Sequence, residues 1–149
     1  MEIIEATEAD APYIEHLLEA NDRSTVGVRD YRTTFCIGIA EGDYVGAGGY
    51  ERYGMDALLR PVVVDEAVRG RGYRRPIRTE LFRRLSKAGA TAIYLRTDDP
   101  DAFSELGFCG CDPAMVPSAV RDATALSDRA ARPVRWMKRT LPADPRPAE

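Results

Sequence analysis

Histidine and cysteine are scarce, and that scarcity narrows the chemistry first. The single histidine, His16, lies beside the apolar face of a helical pattern formed by Ala11, Ile14, Leu17 and Leu18, so it reads as an exposed helix residue before it reads as a catalytic base. Three cysteines, Cys36, Cys109 and Cys111, are odd in number and lack the pair-of-pairs spacing of a zinc site. Reduced thiols are expected, and no metal. Cys109 and Cys111 have the spacing of two small side chains facing one way on a strand; the other reading of that spacing is a thiophilic ion. No stretch reaches the roughly 18 apolar residues of a membrane span, and residues 1–10 carry acids where a signal peptide carries bases, so the expectation is a cytoplasmic protein with no membrane partner. Positive charge is not in excess either: 21 basic and 24 acidic residues give a net charge of −3. Without a basic surface or aromatic stacking positions, nucleic acid is not the expected partner. Neither a G-x-G-x-x-G nor a Gly-Lys followed by Ser or Thr occurs, which sets aside the usual dinucleotide and nucleoside-triphosphate loops.

What is present suits one globular domain with a real core: 149 residues, 44% of them hydrophobic. The domain is expected over 1–141, with a flexible tail at 142–149 that holds three prolines and no large packing side chain. A first strand at 2–6 leads to Thr7 and Asp10, spaced as a capping box at a helix start. Residues 21–32 are polar with no strong period and read as a loop or short helix that borders a pocket. Strands at 34–40 and 44–53 bracket Glu41-Gly42-Asp43 as a hairpin, and Gly54 turns the chain into a third strand at 57–64, where Pro61 implies a bulge or a break in pairing. Later come Gly89 as a helix C-cap, a strand at 90–96, a short helix capped by Asp98 or Asp99, a strand at 108–111, a helix at 117–126 with Val120 and Ala123 inward, and a closing strand at 134–141.

The chemistry concentrates at 62–84. A run of valines, Val62, Val63 and Val64, gives way to a glycine-punctuated basic turn and then to a helix whose Ile77, Leu81 and Leu85 recur every fourth residue. Gly70 and Gly72 permit backbone shapes closed to other residues, and the first turn of the following helix has N–H groups without internal partners. Those donors and the positive end of the helix dipole favour an anion, most naturally a phosphate. Seven arginines between Arg69 and Arg84 add charge, Arg69, Arg71, Arg74 and Arg75 nearest the turn.

Arg69-Gly70-Arg71-Gly72-Tyr73 resembles the acetyl-CoA signature of the GNAT superfamily of N-acetyltransferases, in which Arg or Gln is followed by two residues, Gly, one residue, and Gly or Ala. The sixth position departs from it, being Arg74, and Pro76 removes one N–H near the helix start. Leu106-Gly107-Phe108 resembles the end of the last GNAT motif, with Phe103 where many relatives place a tyrosine that protonates the departing thiolate. Residues 49–54, 57–60, 69–73, 103–108 and 116–121 are similar to the small GNAT proteins associated with arsenic resistance.

This resemblance implies an α+β GNAT acyl-CoA N-acyltransferase fold, with a mixed, mostly antiparallel central sheet and helices on both faces. It implies acetyl-CoA as co-substrate, its pyrophosphate on the N–H groups of residues 71–75 and its pantetheine arm paired with Val62, Val63 and Val64. Arg74 and Arg75 are expected to compensate through phosphate contacts for the missing small residue and the missing Pro76 donor. The acceptor is expected to be a primary amine of a small molecule, attacking the thioester directly with Glu51 as general base; the other reading of Glu51 is a strand acid in a Glu-Arg pair. Arg60 either binds an acidic group of the acceptor or pairs with Asp56 or Glu51. A homodimer is left open. The alternative is a degenerate GNAT domain, a non-catalytic module for acyl-CoA or a protein partner, in line with Arg74, Pro76 and Phe103.

Overall fold

The computed structural model describes residues 1–127 and 134–141; the expected tail at 142–149 lies outside them. Two compact units make up the fold, one of Met1–Glu51 with Arg60–Arg83 and one of Arg52–Leu59 with the chain from Arg84 onward.

The first unit begins with β1 (Glu2–Glu5) and α1 (Ala11–Ala20). The Thr7 amide donates to Asp10 Oδ2 at 2.8 Å, so the expected capping box forms and starts the helix through a short 3-10 turn. β2 (Thr33–Ala40) and β3 (Asp43–Tyr53) follow as an antiparallel hairpin closed by Glu41 and Gly42, whose φ of 53° and 84° make the tight turn. β1 adds antiparallel to β2, from Glu2 opposite Ile39 to Glu5 opposite Cys36. A register shift between Gly38 and Ile39 is the irregularity in the β2–β3 ladder. β4 (Asp56–Val64) runs as one strand through Pro61, whose side chain is exposed. α2 (Arg74–Lys87) closes the sequence of elements and, like β3 and β4, continues into the second unit.

Alternation along β2 decides where the helices go. Phe35 and Ile37 join Ala11, Ile14, Leu17 and Leu18 of α1 in one buried cluster. Gly38 points the other way, where a Cβ would meet Ile77 of α2, and Gly48 of β3 likewise lies against Ile77 and Leu81. Helices therefore cover both faces, as expected, and Ile77, Leu81 and Leu85 are wholly buried. Each such side chain contributes about 1.5 to 3 kcal/mol by leaving water.

In the second unit β5 (Ala92–Thr97) pairs parallel with β4 over Asp56–Leu58, and β7 (Arg135–Thr140) pairs antiparallel with β5 along its whole length. β6 (Cys109–Gly110) adds antiparallel to β7, which gives the sheet order β1-β2-β3-β4-β5-β7-β6. The strand expected at 108–111 is only these two residues, because Asp112 opens a 3-10 turn, its side chain accepting from the Ala114 amide at 2.9 Å. α3 (Pro100–Ser104) is capped by Asp99 and α4 (Ser118–Ser127) buries Val120 against Leu58, Ala92, Tyr94 and Val116. Gly89 ends α2 as expected, with φ 87° and the Ala90 amide reaching back to the Leu85 carbonyl at 3.0 Å. His16 is exposed. Among the described residues no helix is long and apolar enough to cross a membrane, which bears on helices alone.

Candidate functional site

The expected strand, loop and helix are all present at 62–87. Val63 and Val64 are buried at the end of β4 and Val62 is half-buried; Glu66–Val68 form one 3-10 turn, and Arg69 leads in extended backbone to Gly70 and Gly72, both at φ 82°. A side chain built on either glycine would meet nothing within 4 Å, so the space above the loop is open. Among the described residues the amides of Gly70, Arg71, Gly72 and Tyr73 donate to no backbone carbonyl, and those of Arg74 and Arg75 lie in the first turn of α2, where no intrahelical carbonyl precedes them. Pro76 falls in the same turn, where its missing N–H costs no helix bond.

Charge follows the same pattern. Arg71, Arg74 and Arg75 are exposed around the loop, and half-buried Arg78, one turn on, is held below the ordinary arginine pKa by burial and then by the charge of Arg74. An anion between these side chains would offset the positive charge that Arg74 sets against Arg78, and loop amides without a main-chain acceptor beside a helix start are the complementary donors. A pyrophosphate fits these residues. Arg69 is turned to other work: its Nη2 donates to Asn21 Oδ1 at 2.6 Å, and Asn21 Nδ2 donates to the Leu17 carbonyl at 2.8 Å, so the loop is tied to the end of α1.

The start of the loop has a second tie. Tyr13 of α1 donates to Asp65 Oδ2 at 3.3 Å while the Asp65 amide bonds to the Val45 carbonyl. Burial, and then the Asp65 charge, raises the Tyr13 pKa far above the ordinary phenol value. A folded pKa raised above the unfolded value, about 10, means that this stability is complete below pH 10 and is lost as pH rises beyond it. Tyr13→Phe should cost about 0.5 to 1.5 kcal/mol at neutral pH and flatten the decline above pH 10 in denaturant titrations across pH. An unaltered alkaline limb would show that Tyr13 does not govern it.

Glu51 and Arg60 form a second cluster, on β3 and β4. The Glu51 side chain is 12% exposed and that of Arg60 6%, with Arg60 Nη1 3.4 Å from Glu51 Oε2. Arg60 also donates from Nη1 to the Val26 carbonyl at 2.7 Å and from Nη2 to the Ser24 carbonyl at 3.0 Å, its guanidinium 5.6 Å from the Phe35 ring centre. Of the two roles read for Arg60, pairing with Glu51 is the one this geometry displays, and Glu51 is a nearly buried member of the pair. Sequence reasoning missed that the 21–32 segment supplies main-chain acceptors to this pair. Thr33 Oγ1, on the residue opposite Glu51 in the β2–β3 register, is buried with no hydrogen-bond partner among the described residues.

Phe103 belongs to the second unit, on α3, half-buried and edge-on to Phe108 with ring centres 5.8 Å apart. Its surroundings and its lack of a hydroxyl give it packing and no proton to donate. Among the described residues no cluster of His, Cys, Asp or Glu could hold a metal ion, and Cys109 is exposed on β6.

No protein-family model matches this sequence, and no curated protein matches it significantly. Solved structures do match. Rv2747 from Mycobacterium tuberculosis, in complex with CoA and NLQ, aligns with a TM-score of 0.71 at 18% identity over 95% of this chain and 99% of its own. An acetyltransferase of the GNAT family from Staphylococcus aureus Mu50 aligns with a TM-score of 0.71 at 17% identity over 95% and 99%. An aminoglycoside 6'-N-acetyltransferase complexed with coenzyme A aligns with a TM-score of 0.69 at 18% identity over 99% and 100%. At such identities the likeness is one of architecture, and from its seven-stranded mixed sheet to the glycine turn that opens α2, this chain has the fold of the GNAT acetyltransferases.

Proposed function

We propose that this protein is an N-acetyltransferase that carries an acetyl group from acetyl-CoA to the primary amine of a small molecule. The observation that carries the reading is the loop at 70–73: unpaired amides under open space, continuous with the first turn of a 14-residue helix and ringed by exposed arginines. In this reading the amides of 71–75, Pro76 lying just beyond, hold the pyrophosphate, with Arg74 and Arg75 adding charge where the family signature has a small residue and no proline. The main chain of Val62–Val64 pairs with the pantetheine arm, and Phe103 packs against the cofactor. The amine nitrogen attacks the acetyl carbonyl, a C–N bond forms, the C–S bond breaks, and coenzyme A leaves as a thiolate. Phe103 has no proton for that thiolate, so water supplies it. Glu51 takes the proton of the amine. The structures matched include complexes with coenzyme A, which supports the cofactor assignment. The finer similarity to the arsenic-resistance group rests on the sequence segments alone.

Gly72→Val is the direct test. A β-branched residue at φ 82° is strained and fills the open space above the amides. Calorimetry should show coenzyme A affinity reduced tenfold or more, about 1.4 kcal/mol. Gly54→Val carries comparable strain at φ 68°, in the turn between β3 and β4, and should bind like the parent. Equal affinity in parent and Gly72→Val would remove the loop from the cofactor site. Thiol release from acetyl-CoA with a panel of amines tests turnover, and binding without release would assign the chain to the non-catalytic class.

A further inference from the structure

The 21–32 segment links α1 to β2, and its hold on the fold is uneven. At its start Asn21 is tied to Arg69, and towards its end Val28 is buried in the α1 core and Arg29 makes a two-pronged pair with Glu15, at 2.7 and 3.1 Å. Between these anchors, among the described residues, the side-chain bonds that reach residues 24–27 from another element come from Arg60, to the carbonyls of Ser24 and Val26. The same Nη1 that holds Val26 faces Glu51. Gly27 completes the fit: a Cβ there would stand 3.4 Å from Arg60 Nη1 and 3.9 Å from Glu51 Oε1.

We propose that Arg60 is a positioning residue, a buried post that fixes the 24–27 segment and the Glu51 carboxylate in one arrangement and thereby builds the amine side of the site; the catalytic half of this inference rests on the acetyltransferase reading above. Three directions of its guanidinium are committed: two main-chain carbonyls and one carboxylate. The planar fork of arginine serves all three at once, and a lysine ammonium on a single stem does not. A cation used in this way does not recruit an acidic group on the acceptor. The acceptor class that follows is an amine without an obligatory carboxylate, met by the acid of Glu51 and by a segment whose Val26 side chain is exposed and apolar.

The test uses the intact chain and two independent readouts. Arg60→Met keeps most of the side-chain length and removes the fork. Trypsin should then cut after Arg23 at least tenfold faster than in the parent, as residues 24–27 lose their tie, while the thermal transition stays cooperative. On amines, KM for the acceptor should rise at least tenfold with KM for acetyl-CoA within twofold of the parent, and the neutral pair Arg60→Met with Glu51→Gln should not restore it. Arg60→Lys should fall between parent and Arg60→Met in both readouts, and it carries the test if Arg60→Met does not fold. Unchanged cleavage at Arg23 overturns the post. So does a loss confined to carboxylate-bearing acceptors with cleavage unaltered, which would make Arg60 a substrate ligand. A parent without turnover defeats the acetyltransferase reading but leaves the cleavage result to decide the post.

Discussion

Gly46→Val should lower stability by about 3 kcal/mol or more, the upper range for overpacking, because the atoms it meets are main chain and cannot swing aside. A Cβ at position 46 would lie 2.6 Å from the Val63 carbonyl oxygen and 3.2 Å from Val64 Cα. Relief requires β3 and β4 to separate, which strains the neighbouring ladder with β2, where Gly46 stands opposite Gly38. For a chain of this length the shift in Tm is roughly 2 to 4 °C per kcal/mol, so a fall of roughly 6 to 12 °C is expected. Gly110→Ala is the matched control, since nothing lies within 4 Å of its Cβ and its φ is not in the left-handed range; it should stay within about 0.5 kcal/mol of the parent. A Gly46→Val protein that melts with the parent would show that the strands part easily. The same separation displaces the main chain of Val63 and Val64, so if these residues pair with the pantetheine arm as proposed, coenzyme A affinity should fall with stability.

That glycine shows where sequence reading stopped. The loop at 69–73, the α2 face and the hairpin were legible because each rests on local rules: glycine where φ turns positive, a fourfold apolar repeat, a turn between alternating runs. The close approach of β3 to β4 and α2 is a long-range fact, yet it left a trace in Gly46 and Gly48, as the crowding by Thr34 and Phe35 of β2 did in Gly49, since glycines inside a strand mark crowding by another backbone or side chain. The Glu51–Arg60 pair was foreseen as one of several pairings, but its burial was not, because burial depends on the 24–27 segment, which has no periodicity to read. The insertion of β7 between β5 and β6 was likewise invisible: nothing in the composition of a strand states which neighbours it takes. Arg69 illustrates the converse. Its place in the signature suggested the ligand, whereas its side chain donates to Asn21, a contact that no motif states.

Glu51→Gln is expected to reduce kcat/KM at neutral pH by about a hundredfold to ten-thousandfold, the usual contribution of a positioned base. The substitution is nearly isosteric, and the glutamine carbonyl still accepts from Arg60 Nη1, 3.4 Å from the present carboxylate oxygen, so the 24–27 segment keeps its post. What disappears is the ability to take a proton. The requirement for one is set by the acceptor: an alkyl amine with pKa about 10.4 is neutral in roughly four molecules per ten thousand at pH 7 and in about one in ten at pH 9.5. The deficit of the variant should therefore shrink as pH rises across that interval, which ends below the alkaline range where Tyr13 begins to lose its contribution. Coenzyme A affinity should not change, because the loop at 70–73 is untouched. Three results separate the possibilities. A deficit that narrows with pH identifies Glu51 as the base; a deficit of constant size assigns its contribution to the negative charge it sets beside Arg60 and not to proton transfer; and parental turnover at every pH removes it from the chemistry, leaving water to receive the proton and the Glu51–Arg60 pair to architecture alone.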